Sequence, residues 1–165
     1  MDAVLKPVYT VLRRCVIALA LISGLAVLAM IAVTAADVVL RIFSRAVPGA
    51  YDLVRILAVI AITCALPYVT AIKGHIAIEF FYHRFTRRGR LILDTAFRLV
   101  SLVLFSLLTA RFITYGLMLR AAGQVMPTLP VPVFWMPWLI SFSCVLVALI
   151  VLYHLFHPGK EFIKP

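Results

Sequence analysis

The chain has 165 residues, 65% of them hydrophobic and 13% charged, with a mean hydropathy of +1.12. A soluble domain carries about 45–50% apolar and about 25% charged residues, so a water-soluble globular enzyme is all but excluded and the chain reads as an integral membrane protein. Sixteen Lys and Arg against six Asp and Glu give a formal charge of +10, and in a membrane chain such cations set orientation rather than bind nucleic acid. Cys15, Cys64 and Cys144 sit singly inside apolar runs. Without a CxxC pair they read as packing residues, which argues against a disulfide framework, a zinc site or a thiol relay.

Taken in chain order, four apolar stretches reach the roughly 20 residues with which a helix crosses a bilayer core. The first covers about residues 15–39, bracketed by Arg13, Arg14 and Arg41, with Asp37 its only charge. Lys6, Arg13, Arg14 and the later Thr34-Ala35-Ala36 imitate a signal peptide. Its apolar run of about 20 to 25 residues nevertheless exceeds the usual h-region of 7–15, so it is expected to remain as a span. The second, about 53–72, holds Arg55 one turn inside its start and is closed by Lys73. The third, about 91–119, includes Asp94, Arg98 and Arg111, and Leu99 to Leu119 alone is long enough. The fourth, about 131–156, has Pro132 and Pro137 near its start and no formal charge. The expected fold is an all-α membrane protein, a single four-helix domain over residues 1–165 with no room for an extramembrane domain.

Cations divide unevenly between the two sides. Eleven fall on one: Lys6, Arg13 and Arg14, then Lys73, Arg84, Arg87, Arg88, Arg90 and Arg98, then Lys160 and Lys164. Four fall on the other, Arg41, Arg45, Arg55 and Arg120, with Arg111 left within the membrane. The positive-inside rule then puts both termini in the cytoplasm, and Trp135 and Trp138 suit an outer aromatic belt.

The connection from Lys73 to Arg90 reads KGHIAIEFFYHRFTRRGR. Ala77, Phe80, Phe81 and Phe85 recur at helical spacing beside Lys73, His83, Arg84, Arg87 and Arg88, the pattern of an interfacial amphipathic helix between spans two and three. A solvated basic loop is the alternative, favoured by the early HIAIE alternation. In either case Arg84, Arg87, Arg88 and Arg90 are expected to meet anionic lipid headgroups. The connection from Gly123 to Pro132 is nearly uncharged, and Pro127, Pro130 and Pro132 prevent a helix and hold the backbone extended. Such a stiff loop serves either as a docking surface or as a rigid hairpin that orients the last two spans.

Ionisable groups in hydrocarbon are costly and usually face protein or water. Arg111 lies eight residues, roughly 12 Å of helix, from Leu119, where snorkelling is strained. Asp37 and Arg41, at i and i+4, share a helical face and are expected to pair. Asp52 and Arg55, at i and i+3, repeat that arrangement, so an interface salt bridge is expected there too. Pro67 frees backbone carbonyls in span two, which either line an ion path or accompany a kink.

No catalytic constellation emerges. His75, His83, His154 and His157 fall near or beyond the cytoplasmic ends, which is unsuitable for a haem between spans, and no Walker loop, HExxH or GxSxG occurs. Glu79 and Asp94 lie far from any paired acid. A transporter working alone would show repeated, broken spans and a polar midplane site; here no repeat is evident, and Asp37 stands at a span boundary. The residues by themselves lead to a non-catalytic four-helix membrane subunit. An autonomous four-span transporter and a membrane anchor of an unrelated complex remain as alternatives.

Several segments, in order, resemble the small DctQ-like membrane subunit of tripartite ATP-independent periplasmic (TRAP) transporters. They are Asp37-Val38-Val39-Leu40-Arg41, Pro48-Gly49-Ala50-Tyr51-Asp52-Leu53, Ala65-Leu66-Pro67-Tyr68-Val69 with Lys73-Gly74-His75-Ile76-Ala77-Ile78-Glu79, and Gly123-Gln124-Val125-Met126-Pro127-Thr128-Leu129-Pro130-Val131-Pro132-Val133-Phe134-Trp135. The likeness covers about residues 15–155. Two departures stand out: Asp52 where the family often has Glu, and an aromatic after the last Pro displaced to Phe134 and Trp135.

The resemblance implies a role without a reaction. A periplasmic binding protein would deliver an organic acid to a bacterial inner-membrane complex whose large, DctM-like subunit moves substrate and sodium by an elevator motion. The small subunit would brace the fixed part of the large one. It would be no enzyme and carry no cofactor; a bound phospholipid is allowed, and sodium belongs to the large subunit. Partner contacts are then expected from Asp37, Arg41, Asp52, Arg55 and Arg111, and from Gly123, Pro127, Leu129, Pro130 and Trp135.

Overall fold

The computed structural model describes residues 2–72 and 87–156. Four helices follow in order: α1 (Asp2–Ile42), α2 (Ala50–Ala71), α3 (Arg87–Ala121) and α4 (Trp135–Phe156). Each contains a stretch long and apolar enough to cross a membrane, Arg13–Ile42, Ala50–Ala71, Thr95–Ala121 and Trp135–Tyr153. The expected spans are therefore found, with shifted ends. Most of the proposed interfacial helix lies outside the described residues, and so does Arg84; Arg87, Arg88 and Arg90 open α3.

The fourth helix starts at Trp135, later than the expected 131. Met126 N donates to Val131 O at 3.0 Å and Val133 N to Gln124 O at 3.1 Å, which pins 124–126 against 131–133 as a small hairpin. Those backbone groups are used crosswise, and Pro130 and Pro132 lack the N–H that a helix would need, so the helix waits until the hairpin closes.

Two helix ends share one device. At the end of α1, Ser44 adopts a left-handed φ of 57°, Arg45 N donates to Leu40 O and Ser44 N to Arg41 O, both at 3.0 Å. At the end of α3, Gly123 has φ 60°, Gln124 N donates to Leu119 O at 3.2 Å and Gly123 N to Arg120 O at 3.1 Å. Both are Schellman caps, which satisfy the last carbonyls and turn the chain back.

Packing runs α1 on α2, α2 on α4, and α4 on α3. The helices thus form a row in which α4, last in sequence, sits between α2 and α3. Two apolar clusters hold its ends. Val16, Ala71 and Ile150 join α1, α2 and α4 at one end. Leu119, Met126, Val133 and Met136, with Ile56 and Val59 against them, join α2, α3 and α4 at the other, where connections 43–49 and 122–134 lie. This second end is the hairpin end of the row.

Candidate functional site: a carboxylate clasp and serine seams

Asp52 is fully buried in the first turn of α2. Its Oδ2 accepts Thr128 N at 2.8 Å, Leu129 N at 2.9 Å and the Thr128 hydroxyl. A carboxylate at a helix N-terminus is favoured by the helix dipole, and the loop between Pro127 and Pro130 presents two adjacent N–H groups that no helix or sheet uses. These are charge-assisted bonds, about twice as strong as neutral ones. The result is a clasp between two hairpins that lie 76 residues apart in sequence. Its second oxygen, Oδ1, has no hydrogen-bond partner among the described residues.

Gly49 makes the clasp close enough to form. It caps α2 at φ 77°, and a Cβ there would stand 2.8 Å from the Leu129 side chain. Only glycine combines that backbone with that approach.

The expected Asp52–Arg55 ion pair does not exist: no such contact lies within bridging distance, and Arg55 is exposed. Spacing along one helix offered Arg55 to the carboxylate, but three fixed donors from the loop hold it without ordering a long side chain. Asp37 and Arg41 do pair, Nε to Oδ2 at 2.8 Å. Asp37 Oδ1 also accepts Val47 N at 3.0 Å, so this carboxylate ties the end of α1 to the connection that follows.

Within the spans, each packed pair of helices shares a serine hydroxyl. Ser23 of α1 donates to Ala61 O of α2 at 2.8 Å. Ser143 of α4 donates to Thr63 O of α2 at 2.6 Å, and Ser141 of α4 to Thr109 O of α3 at 3.2 Å. Small residues and such bonds are what joins helices where lipid removes the hydrophobic drive. The middle one also answers the question of Pro67. A proline cannot donate to the carbonyl four residues back, which is that of Thr63, and Ser143 supplies the missing proton. The freed carbonyl belongs to an interhelical seam.

Near the hairpin end α3 and α4 approach at Gly116, where a Cβ would lie 2.3 Å from Trp138 Nε1 and 3.2 Å from Phe134 O. Phe134 and Trp138 stack edge-on at 5.1 Å, and the Arg120 guanidinium carbon stands 5.8 Å and 6.0 Å from the two ring centres. Such cation–π contacts suit the interfacial level. Trp135 is half-buried against the hairpin-end cluster.

The remaining candidates separate. Arg55, Pro127, Tyr115 and Gln124 border a cavity of about 320 Å³ between α2, α3 and α4. Pro130 is exposed, Leu129 covers Gly49, and Gly123 is the cap of α3. Arg111 is exposed on α3, away from every clasp residue. Sequence reasoning missed Thr128, Ser23, Ser141, Ser143 and Gly116. The three serines carried a signal, a hydroxyl inside an apolar run; Thr128 carried none beyond its place between two prolines.

Among the described residues no group of His, Cys, Asp or Glu is placed to hold a metal ion. No curated protein and no solved structure matches the chain. The profile of one family does match, over residues 30–159, and it spans the clasp, the seams of Ser141 and Ser143, and α3. The chain belongs to the family of DctQ components of tripartite ATP-independent periplasmic transporters, and is thus a multi-pass inner-membrane component of a transporter.

Proposed function

We propose that this component is a non-catalytic brace. It holds the fixed part of a large, sodium-coupled elevator subunit while that subunit imports an organic acid delivered by a periplasmic binding protein. The observation that carries the reading is where the polar groups go. Ser23, Ser141, Ser143 and the Thr63 carbonyl freed by Pro67 bind neighbouring helices, and Asp52 locks the two hairpins together. A chain that joins its own helices at every seam is built to hold a shape.

The hairpin end faces the periplasm in this reading, with both termini cytoplasmic, as the cation distribution requires. Exposed groups there, among them Tyr51, Val125 and Pro130, are available to the binding protein. Reconstitution in liposomes is the test. Uptake should need all three components and vanish when this chain is omitted. Sodium-dependent accumulation by this chain alone would overturn the proposal, and co-purification with redox enzymes in place of a permease would make it an anchor of another complex.

A further inference from the structure

Both ends of the helix row expose an apolar face, one on α1 and one on α3. The two faces differ in one respect. On α1, Ile17, Leu21, Leu25 and Leu28 form an exposed stripe, Leu25 at 66%, and no ionisable residue other than Cys15 occurs between Arg14 and Asp37. Lipid chains satisfy such a surface completely. On α3, Val100, Leu104, Leu107 and Met118 are exposed, Leu107 at 60%, and at about 100° per residue all four lie within about 40° of Arg111.

Arg111 is the exception that the α1 face lacks. The apolar stretch of α3 runs from Thr95 to Ala121, so its middle is residue 108. Arg111 stands three residues, about 4.5 Å, from that middle. It is exposed, and the side of the helix that meets α4 carries Thr109 and Gly116, about 160° and 140° round from it. On the same face the Thr114 hydroxyl donates to Arg111 O at 2.9 Å and Ala110 O at 3.2 Å, Tyr115 is exposed one turn on, and no hydrogen bond or ion pair of the Arg111 side chain occurs among the described residues. A guanidinium presents donors only, and at this depth it needs an acceptor that lipid tails do not supply.

We infer that the α3 face centred on Arg111 is the seat of the transporter's other membrane subunit, and that it takes a membrane helix presenting a carboxylate at the depth of Arg111. The α1 face is then left to lipid. Charge complementarity selects this occupant: a carboxylate accepts two guanidinium bonds in parallel, and small or aliphatic residues on either side let a second helix lie along the stripe. The inference rests on the brace reading and adds the face and the chemistry of the contact.

Photo-cross-linking separates the two. A benzophenone side chain is placed at Leu104 or Leu107 on α3, and at Leu21 or Leu25 on α1, in cells that make the complete transporter. Adducts with the large subunit are expected from α3 and only in traces from α1, because a benzophenone reaches only the chain packed against it. Adducts from α1 at equal or greater yield overturn the inference, as do lipid-only adducts from α3 in an assembled complex; both leave the brace reading standing. Failure of the unmodified chain to co-purify with any permease overturns the brace reading itself. In a parallel measurement R111L should lower co-purification about tenfold, and R111K should fall in between, since it keeps the charge and loses the two parallel bonds. Unchanged assembly of R111L counts against the inference. The cross-linking arm keeps the native arginine, so it decides the matter even where R111L fails to accumulate.

Discussion

The first hairpin, α1 with α2, and the second, α3 with α4, are built from the same materials and are used differently. Each has a Schellman-capped turn and one interhelical serine bond. In the first, the turn is short and tied to its own helix by Asp37. In the second it is a proline-rich hairpin whose free N–H groups reach back to Asp52 of the first. The second hairpin therefore supplies the binding groups for both unions between them, the loop of the clasp and the Ser143 hydroxyl in the membrane. It also carries the only arginine exposed near the middle of a span among the described residues. Short turns hold a pair of helices; long stiff ones join pairs.

Breaking the clasp should separate the hairpins most. Asp52→Ala leaves Thr128 N and Leu129 N without an acceptor, and the midpoint of thermal unfolding in detergent should fall by several degrees, while Asp52→Glu should keep part of the stability. An Asp52→Ala chain that melts with the wild type would show that the two hairpins do not depend on this carboxylate. Gly116→Ala comes next. The added methyl meets the Trp138 ring and the Phe134 carbonyl, and overpacking of this kind costs about 1–3 kcal/mol. Unfolding of the second hairpin, followed by Trp fluorescence, should register it; an unaltered profile would mean that Trp138 moves freely aside.

The comparison is sharpened by a double-mutant cycle in the seam. Ser143→Ala removes the donor to Thr63 O, a loss of about 1 kcal/mol in membrane packing. Pro67→Ala restores an N–H to that same carbonyl, so the cost of Ser143→Ala should shrink in the Pro67→Ala background. Strict additivity of the two would contradict the pairing of the proline-freed carbonyl with the serine. The smallest effect belongs to Arg41→Ala. Its ion pair with Asp37 is exposed on the arginine side, and exposed pairs contribute little; a melting shift as large as that of Asp52→Ala would contradict this ranking.

Much of this architecture was legible because it is local. The four apolar runs, the Asp37–Arg41 spacing and the break at Pro127–Pro132 each depend on neighbours in sequence, and the structure contains all three. The start of α4 was misplaced because Val131 and Val133 are apolar, whereas their backbone groups are committed to the hairpin. Asp52 was assigned to Arg55 by the i, i+3 rule, which is blind to donors 76 and 77 residues away. The seam of Pro67 with Ser143 was hidden for the same reason: it depends on α4 lying beside α2, which no spacing along the chain displays. Composition recognises what crosses the membrane, and topology decides which residues meet.

As a brace, this chain should keep its shape while its complex works. Spin labels at Phe43 and Val125, exposed residues of the two connections at the hairpin end, report the distance between hairpins, with Cys15, Cys64 and Cys144 replaced. In the assembled transporter that distance should be the same with and without sodium, substrate and binding protein. A shift of several ångström on adding any of them would show that the chain moves with the cargo, and the account of it as a brace would be contradicted.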